Sequence, residues 1–210
     1  MNIPHNPPPS SPPFVKASCA AGLLRTTVLV VLGCLAAHAE ETRLPVTFSG
    51  GHRTDPQDRG RPVVLVAAGL GVPTEVFRKA FSGVTPARGG EPSGEQARSN
   101  KAALMKVLAP YKVTNERLDE VSNYYRYRQE RGELWKNVAA KAEAVVENGV
   151  VKRIEVKEVG AGYSTPPTAT IKGMEATPLT TTLLFDKELK KNGSIAKIEV
   201  AQEKSQPARP

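Results

Sequence analysis

The spacing of apolar residues changes at about residue 140, and this change constrains the fold more than any other feature of the chain. Between residues 61 and 136 apolar side chains recur at helical spacing, as in residues 76–81, which is typical of one face of an α-helix. Between residues 142 and 202 they alternate with polar ones, as in residues 150–157, which is typical of β-strands. The sequence therefore predicts an α+β fold, with an N-terminal helical-hairpin unit of about four helices followed by a small antiparallel β-module.

Proline, glycine and threonine mark the predicted helix boundaries. Pro62 and Pro73 can occupy first helical positions, Gly71 ends the apolar run between them, and Thr114 is a plausible N-cap. Before the helices, residues 40–60 hold one short strand candidate and a polar loop. The helices are predicted to pack as two hairpins.

The dipeptide Asn-Gly occurs twice in the β-region, at residues 148–149 and 192–193. It is the strongest short signal for a β-hairpin turn because both residues tolerate a positive φ. Each copy precedes a segment that ends in Ile-Glu-Val, at residues 154–156 and 198–200. The repetition predicts two related β-units.

Between the two copies lies GAGYSTPP at residues 160–167. This segment resembles the GxGYxxxP β-repeat of phage tail-fibre and bacterial surface proteins, in which the unit is a structural β-module. The whole helical-then-β layout resembles uncharacterised secreted bacterial proteins. The resemblance implies a structural role for residues 142–202. The second copy stops after Val200 without a Gly-Tyr element, so a long repetitive fibre is not expected.

Residues 1–39 have the composition of a secretory signal peptide. Lys16 and Arg25 supply positive charge, no acidic residue is present, and an apolar run follows at residues 28–37. The segment ends in Ala-His-Ala at Ala39, a small-x-small cleavage site. Ten apolar residues are too few for a membrane-spanning helix, which needs about 20. We expect cleavage near Ala39, a secreted or periplasmic protein, and no transmembrane helix in the mature chain.

Lipidation at Cys34 is the alternative to free secretion. Gly33 before this cysteine fits a lipobox, but the apolar run continues past the cysteine to Ala39, which makes a lipoprotein the less favoured interpretation. At the other end, residues 203–210 are predicted to be a disordered tail.

Removal of residues 1–39 changes the chemistry that the chain can support. The remainder holds no cysteine and one histidine, His52, with 27 basic and 21 acidic residues for a net charge of +6. Thiolate nucleophiles and Cys-based metal sites are thereby excluded, and no metal site or cofactor is predicted. The charges of both signs are interspersed, whereas a nucleic-acid surface needs a basic patch, so no nucleic-acid partner is expected.

The loop after the first strand candidate is the first candidate site. It contains His52, Asp55 and Asp58, and imidazole and carboxylate groups are the usual groups for proton transfer and metal binding. The spacing does not match a calcium loop. The alternative interpretation is a polar loop whose aspartates cap turns.

An aromatic and basic cluster is the second candidate site. Tyr124, Tyr127 and Arg128 would lie together on a helix, close to Trp135, and an exposed Tyr/Arg surface could stack on a sugar, a peptide or a single strand. The alternative interpretation, which we favour, is that these rings join the helical region to the β-region.

These observations favour an exported, non-catalytic interaction or structural protein of the cell envelope or extracellular space, whose partner is an envelope protein or a polysaccharide. One alternative is a hydrolytic or metal-assisted enzyme that uses His52, Asp55 and Asp58. Another is a surface subunit that self-assembles through an exposed β-edge.

Overall fold

The structure of the protein is a computed structural model that describes residues 40–85 and 92–201. The predicted signal peptide, residues 1–39 with Cys34, and the predicted tail, residues 203–210, lie outside the described residues. Within residues 40–85 and 92–201, no helix is both long and apolar enough to cross a membrane.

The chain has a mixed α+β fold, as the sequence predicts. In the described residues the four α-helices are α1 (Val63–Leu70), α2 (Thr74–Ser82), α3 (Gly94–Leu108) and α4 (Asn115–Tyr124). Helix α1 ends because Gly71 adopts a left-handed conformation with a φ of 72°, which favours glycine. Helix α4 begins at the predicted cap, since the Thr114 hydroxyl accepts a hydrogen bond from the backbone N–H of Arg117 at 3.2 Å.

Six strands form two antiparallel sheets in the part of the chain that the structure describes. The strands are β1 (Glu41–Ser49), β2 (Lys141–Glu147), β3 (Val150–Glu158), β4 (Thr168–Ile171), β5 (Leu179–Leu184) and β6 (Ser194–Val200). The larger sheet has the order β3-β2-β1-β4, and the smaller sheet pairs β5 with β6. Strand β1 precedes all four helices in sequence, yet it lies between β2 and β4. The helices are therefore inserted between two neighbouring strands of one sheet.

The two sheets curl around one apolar core. Strand β4 lies against β5, and β3 lies against β6. The shared core contains residues of both sheets, among them Ala144, Ile171 and Ile195, which are at most 2% exposed. Each edge of the larger sheet thus faces a strand of the smaller one.

The two Asn-Gly dipeptides have different structures. Asn148 and Gly149 both have positive φ, at 51° and 75°, and they form the predicted tight turn between β2 and β3. The second copy does not join two strands directly, since β5 ends at Leu184 and β6 begins at Ser194. There Asn192 is completely buried, and its role is tertiary.

The Asn192 side chain connects the helices to the smaller sheet. Its amide nitrogen donates to the Leu65 carbonyl of α1 at 2.7 Å and to the Tyr125 hydroxyl at 2.9 Å. Its amide oxygen accepts a hydrogen bond from the backbone N–H of Asp186 at 3.2 Å. Buried polar groups are stable only when they are hydrogen-bonded, so this contact fixes α1 against the segment that leads into β6.

Replacing this amide should destabilise the whole fold. Asn192→Ala leaves the Leu65 carbonyl, the Tyr125 hydroxyl and the Asp186 N–H without their partner, and we expect the free energy of unfolding to fall by about 3 kcal/mol. Chemical denaturation measures this change. Asn115→Ala is the matched control, because Asn115 is exposed at the start of α4, and it should change the stability by less than about 0.5 kcal/mol. Equal stabilities of the two variants would contradict the assigned role of Asn192.

Candidate anion-binding cleft

Residues 50–62 carry the chain from β1 to α1 and form one wall of the candidate site. Asp55 accepts a hydrogen bond from the backbone N–H of Gln57 at 3.0 Å and so caps a short 3₁₀ turn at Pro56–Asp58. The backbone carbonyl of Gly51 accepts hydrogen bonds from Ser164 and Thr165. These contacts hold the loop against the segment before β4.

The carboxylate of Asp58 is the buried anchor of this loop. The side chain is 6% exposed, and its two oxygens accept hydrogen bonds from Nε and Nη2 of Arg78 on α2, at 2.7 and 2.9 Å. Glu75 and Asp55 also lie within ion-pair distance of Arg78, at 2.5 and 3.4 Å. The hydrogen bond to Asp58, together with these negative charges, raises the pKa of Arg78 above its usual value. The guanidinium of Arg78 is therefore already bound by three carboxylates of the protein itself.

His52 lies in a different environment from the two aspartates. Its ring contacts those of Tyr163 and Trp135, with centroid distances of 5.3 and 5.9 Å. Its Nε2 atom is buried and finds no hydrogen-bond partner in the described part of the chain. Burial lowers the pKa of His52, and a hydrogen bond to the backbone of Gly50 opposes this shift.

The proposed triad of His52, Asp55 and Asp58 therefore divides between two sets of contacts. The histidine packs on aromatic rings, and both aspartates contact Arg78. Among residues 40–85 and 92–201, no group of three His, Cys, Asp or Glu side chains could hold a metal ion. The two aspartates shape the loop, as the alternative interpretation of this segment describes.

The second candidate site is largely part of the core. The sequence predicts that Tyr124, Tyr127 and Arg128 share one face of a helix. This prediction is wrong, because helix α4 ends at Tyr124. Trp135 is 2% exposed and donates its indole N–H to the Gly162 carbonyl at 2.8 Å. Trp135 is therefore unavailable as a stacking platform, because its ring joins the helices to the sheet.

Of the remaining members of this cluster, the two tyrosines contact neighbouring residues, and the arginine lies apart from them at the surface. The Tyr127 hydroxyl donates to the Gly60 carbonyl, and its ring packs edge-on against Trp135. The Tyr124 ring meets Tyr125 edge-on and carries the Lys136 ammonium 4.8 Å from its centroid. Arg128 is exposed. The structure brings Tyr127 and Trp135 together as bridging residues, and it leaves Arg128 at the surface.

Sequence reasoning missed a cleft that is lined by arginines. Two adjoining cavities of about 600 and 450 Å³ lie between residues 53–63 and α2. Arg61 and Arg78 line both of them, Arg59 lines the larger, and Arg53 lines the smaller. We call the surface formed by Arg53, Arg59, Arg61 and Arg78 the arginine cleft. Three arginines within nine residues of the loop were the available sequence signal.

Arg61 occupies the centre of the arginine cleft. Its guanidinium carbon lies 4.5 Å from the centroid of the Phe81 ring, a cation–π contact that holds the side chain in one orientation. The charge of Arg61 also lowers the pKa of Tyr127 against the larger upward effect of burial, which places the two groups close together. Within the part of the chain that the structure describes, Arg53, Arg59 and Arg61 form no ion pair with a carboxylate.

The chain matches no protein-family model, and no curated protein or solved structure is significantly similar to it. A functional assignment must therefore come from the geometry and charge of its own residues. The arginine cleft is the feature with the most specific chemistry. It combines a cavity, a guanidinium stacked on a ring, and three arginines that have no carboxylate partner within residues 40–85 and 92–201.

The environment of His52 makes stability depend on pH. The unfolded chain binds a proton at the ordinary pKa near 6.5, whereas the folded protein resists protonation because the pKa of His52 is lowered. Stability from this group is thus complete above pH 6.5 and is lost as the pH falls below it. We expect His52→Phe, which keeps a ring but cannot titrate, to show a smaller loss of unfolding free energy between pH 7.5 and 5.5. Denaturant titrations of the full chain at each pH measure this, and parallel curves for the two proteins would contradict the prediction.

Proposed function

We propose that the protein is an exported, non-catalytic interaction protein of the cell envelope or extracellular space, and that it binds an anionic partner through the arginine cleft. The observation that carries this proposal is the set of three arginines, at positions 53, 59 and 61, that lie along one cleft without a carboxylate partner among the described residues. Unpaired like charges repel one another, and an anion that binds between them relieves this repulsion.

The layout of the chain supports a binding role. Helix α1 contacts α2, which supports the first proposed hairpin, whereas α3 packs on α2 and α4 contacts α1. The β-region would then act as the structural module that the GxGYxxxP resemblance implies. Binding would take place where the helices and residues 53–63 meet.

The enzyme and self-assembly alternatives have less support. Asp55 and Asp58 both contact Arg78, whereas His52 packs on Trp135 and Tyr163. A catalytic arrangement of the three side chains would require a rearrangement of the loop. Strands β3 and β4 each lie against a strand of the smaller sheet, which leaves less edge for a second chain to pair with.

Export is proposed from residues 1–39, with Lys16, Arg25 and the apolar run as its support. The full chain, expressed in a bacterium that exports proteins, should appear outside the cytoplasm with Glu40 as its first residue. Fractionation followed by N-terminal sequencing checks this. A protein that stays in the cytoplasm with residues 1–39 attached would contradict export, and a modified Cys34 at the N-terminus would favour the lipoprotein alternative.

Anion binding by the cleft is tested with two triple variants. One removes three positive charges from the arginine cleft, and the other removes three from other surfaces. The triple variant Arg53→Gln, Arg59→Gln, Arg61→Gln removes three charges from the arginine cleft. A control with Arg98→Gln, Lys106→Gln and Lys190→Gln removes three exposed charges elsewhere. On a carboxymethyl resin the cleft variant should elute at clearly lower salt than the control, because a concentrated patch binds more strongly than dispersed charge.

Equal elution of the two triple variants would show that the net charge alone governs retention, and it would contradict a role for the arginine cleft. Thermal unfolding of both variants provides the folding control. Among the described residues, Arg53, Arg59 and Arg61 make no ion pair, and neither do the three control residues, so neither variant should lose a salt bridge of the fold.

A further inference from the structure

We propose that the arginine cleft binds an extended acidic peptide segment of a partner protein, with Arg61 as the central carboxylate-binding residue. This inference rests on the proposed function, because it names the class of anion that the same cleft takes.

The guanidinium of Arg61 is held in an orientation that suits binding of a planar anion. Its guanidinium stacks on Phe81 at 4.5 Å, and no side-chain hydrogen bond of the described residues uses its N–H groups. A guanidinium presents parallel N–H donors whose geometry matches the two oxygens of a carboxylate. Because Phe81 already restricts this side chain, a ligand loses less conformational entropy when it binds there.

Positive charge continues on both sides of Arg61. Arg59 borders the larger cavity and Arg53 borders the smaller, while Arg61 borders both. The two cavities share a wall at Val63 as well, so they adjoin and form one groove. An extended chain with carboxylates at intervals would meet an arginine in each part of it.

The rest of the groove suits a peptide. Val63 and Val84 supply apolar wall in the larger cavity, where Gln57 and Ser82 supply polar groups. In the smaller cavity Thr54 supplies a polar group. A peptide offers apolar side chains to the walls and backbone amides to these polar groups.

Two features disfavour a sugar or nucleic-acid chain. Arg61 covers one face of Phe81, so a base cannot stack on that face of the ring. Asp55 and Asp58 also line the groove beside Arg78, and they would repel a chain that carries one charge on every unit. A peptide with few, separated carboxylates can place uncharged residues there.

The test is a calorimetric titration of the full chain with defined probes. The first probe is a synthetic ten-residue peptide with three glutamates separated by valine and serine, and its counterpart with glutamine in place of glutamate is the matched control. A decamer of thymidylate and an oligomer of galacturonate are the competing polyanions. We expect the glutamate peptide to bind, the glutamine peptide to bind at least about tenfold more weakly, and both polyanions to bind more weakly than the glutamate peptide.

Three variants then locate the site. Arg61→Gln should weaken binding of the glutamate peptide about tenfold or more, and Arg61→Lys should also weaken it, because lysine keeps the charge but lacks the paired donors. Arg98→Gln, on the exposed surface of α3, should leave the affinity unchanged. Far-ultraviolet circular dichroism and thermal unfolding of each variant confirm that it is folded.

The outcomes separate this inference from the proposed function. Tighter binding of galacturonate or thymidylate that still depends on Arg61 would overturn the peptide assignment and leave anion binding by the cleft intact. Equal binding of the glutamate and glutamine peptides, or full affinity of Arg61→Gln, would overturn the assignment of Arg61. If none of the probes binds and the two triple variants elute alike, both proposals fail.

Discussion

The buried amide of Asn192 is the contact on which the arrangement of helices and strands depends. It is 0% exposed and joins α1, the residue after α4 and the chain leaving β5 through three hydrogen bonds. The next residue, Gly193, has a φ of 68°, and a Cβ atom there would collide with the backbone of Tyr163 and the side chain of Leu65. Asparagine and glycine are thus both required, one for its hydrogen bonds and the other for its lack of a side chain.

With α1 fixed in this way, residues 50–62 are held between two supports. At one end the Gly51 carbonyl accepts hydrogen bonds from Ser164 and Thr165, and at the other the Gly60 carbonyl accepts one from Tyr127. Between them, the Asp58 carboxylate is anchored on Arg78. A binding site is precise when its side chains stand on supported backbone, so the contacts that position the loop also position the arginine cleft.

Local signals in the sequence were sufficient for the elements that depend on local physics. The mixed α+β class, the Thr114 cap and the first Asn-Gly turn follow from periodicity, capping and positive φ, which neighbouring residues decide. The central position of β1, the burial of Asn192 and the burial of Trp135 depend on partners far away in the chain. The same Asn-Gly dipeptide forms a turn at residues 148–149 and a tertiary contact at residues 192–193. The two differ because the fold determines which partners lie near the asparagine side chain.

The arginine cleft shows why overall charge could not reveal the candidate site. Around the loop, the four cleft arginines stand against Asp55, Asp58 and Glu75, a nearly neutral set when it is only counted. The structure divides this set, because all three carboxylates gather on Arg78 and leave Arg53, Arg59 and Arg61 without an acidic partner among the described residues. A surface potential depends on where charges lie and not only on their sum. The interspersed charges that argue against a nucleic-acid patch are therefore compatible with a local site for a ligand of low charge density.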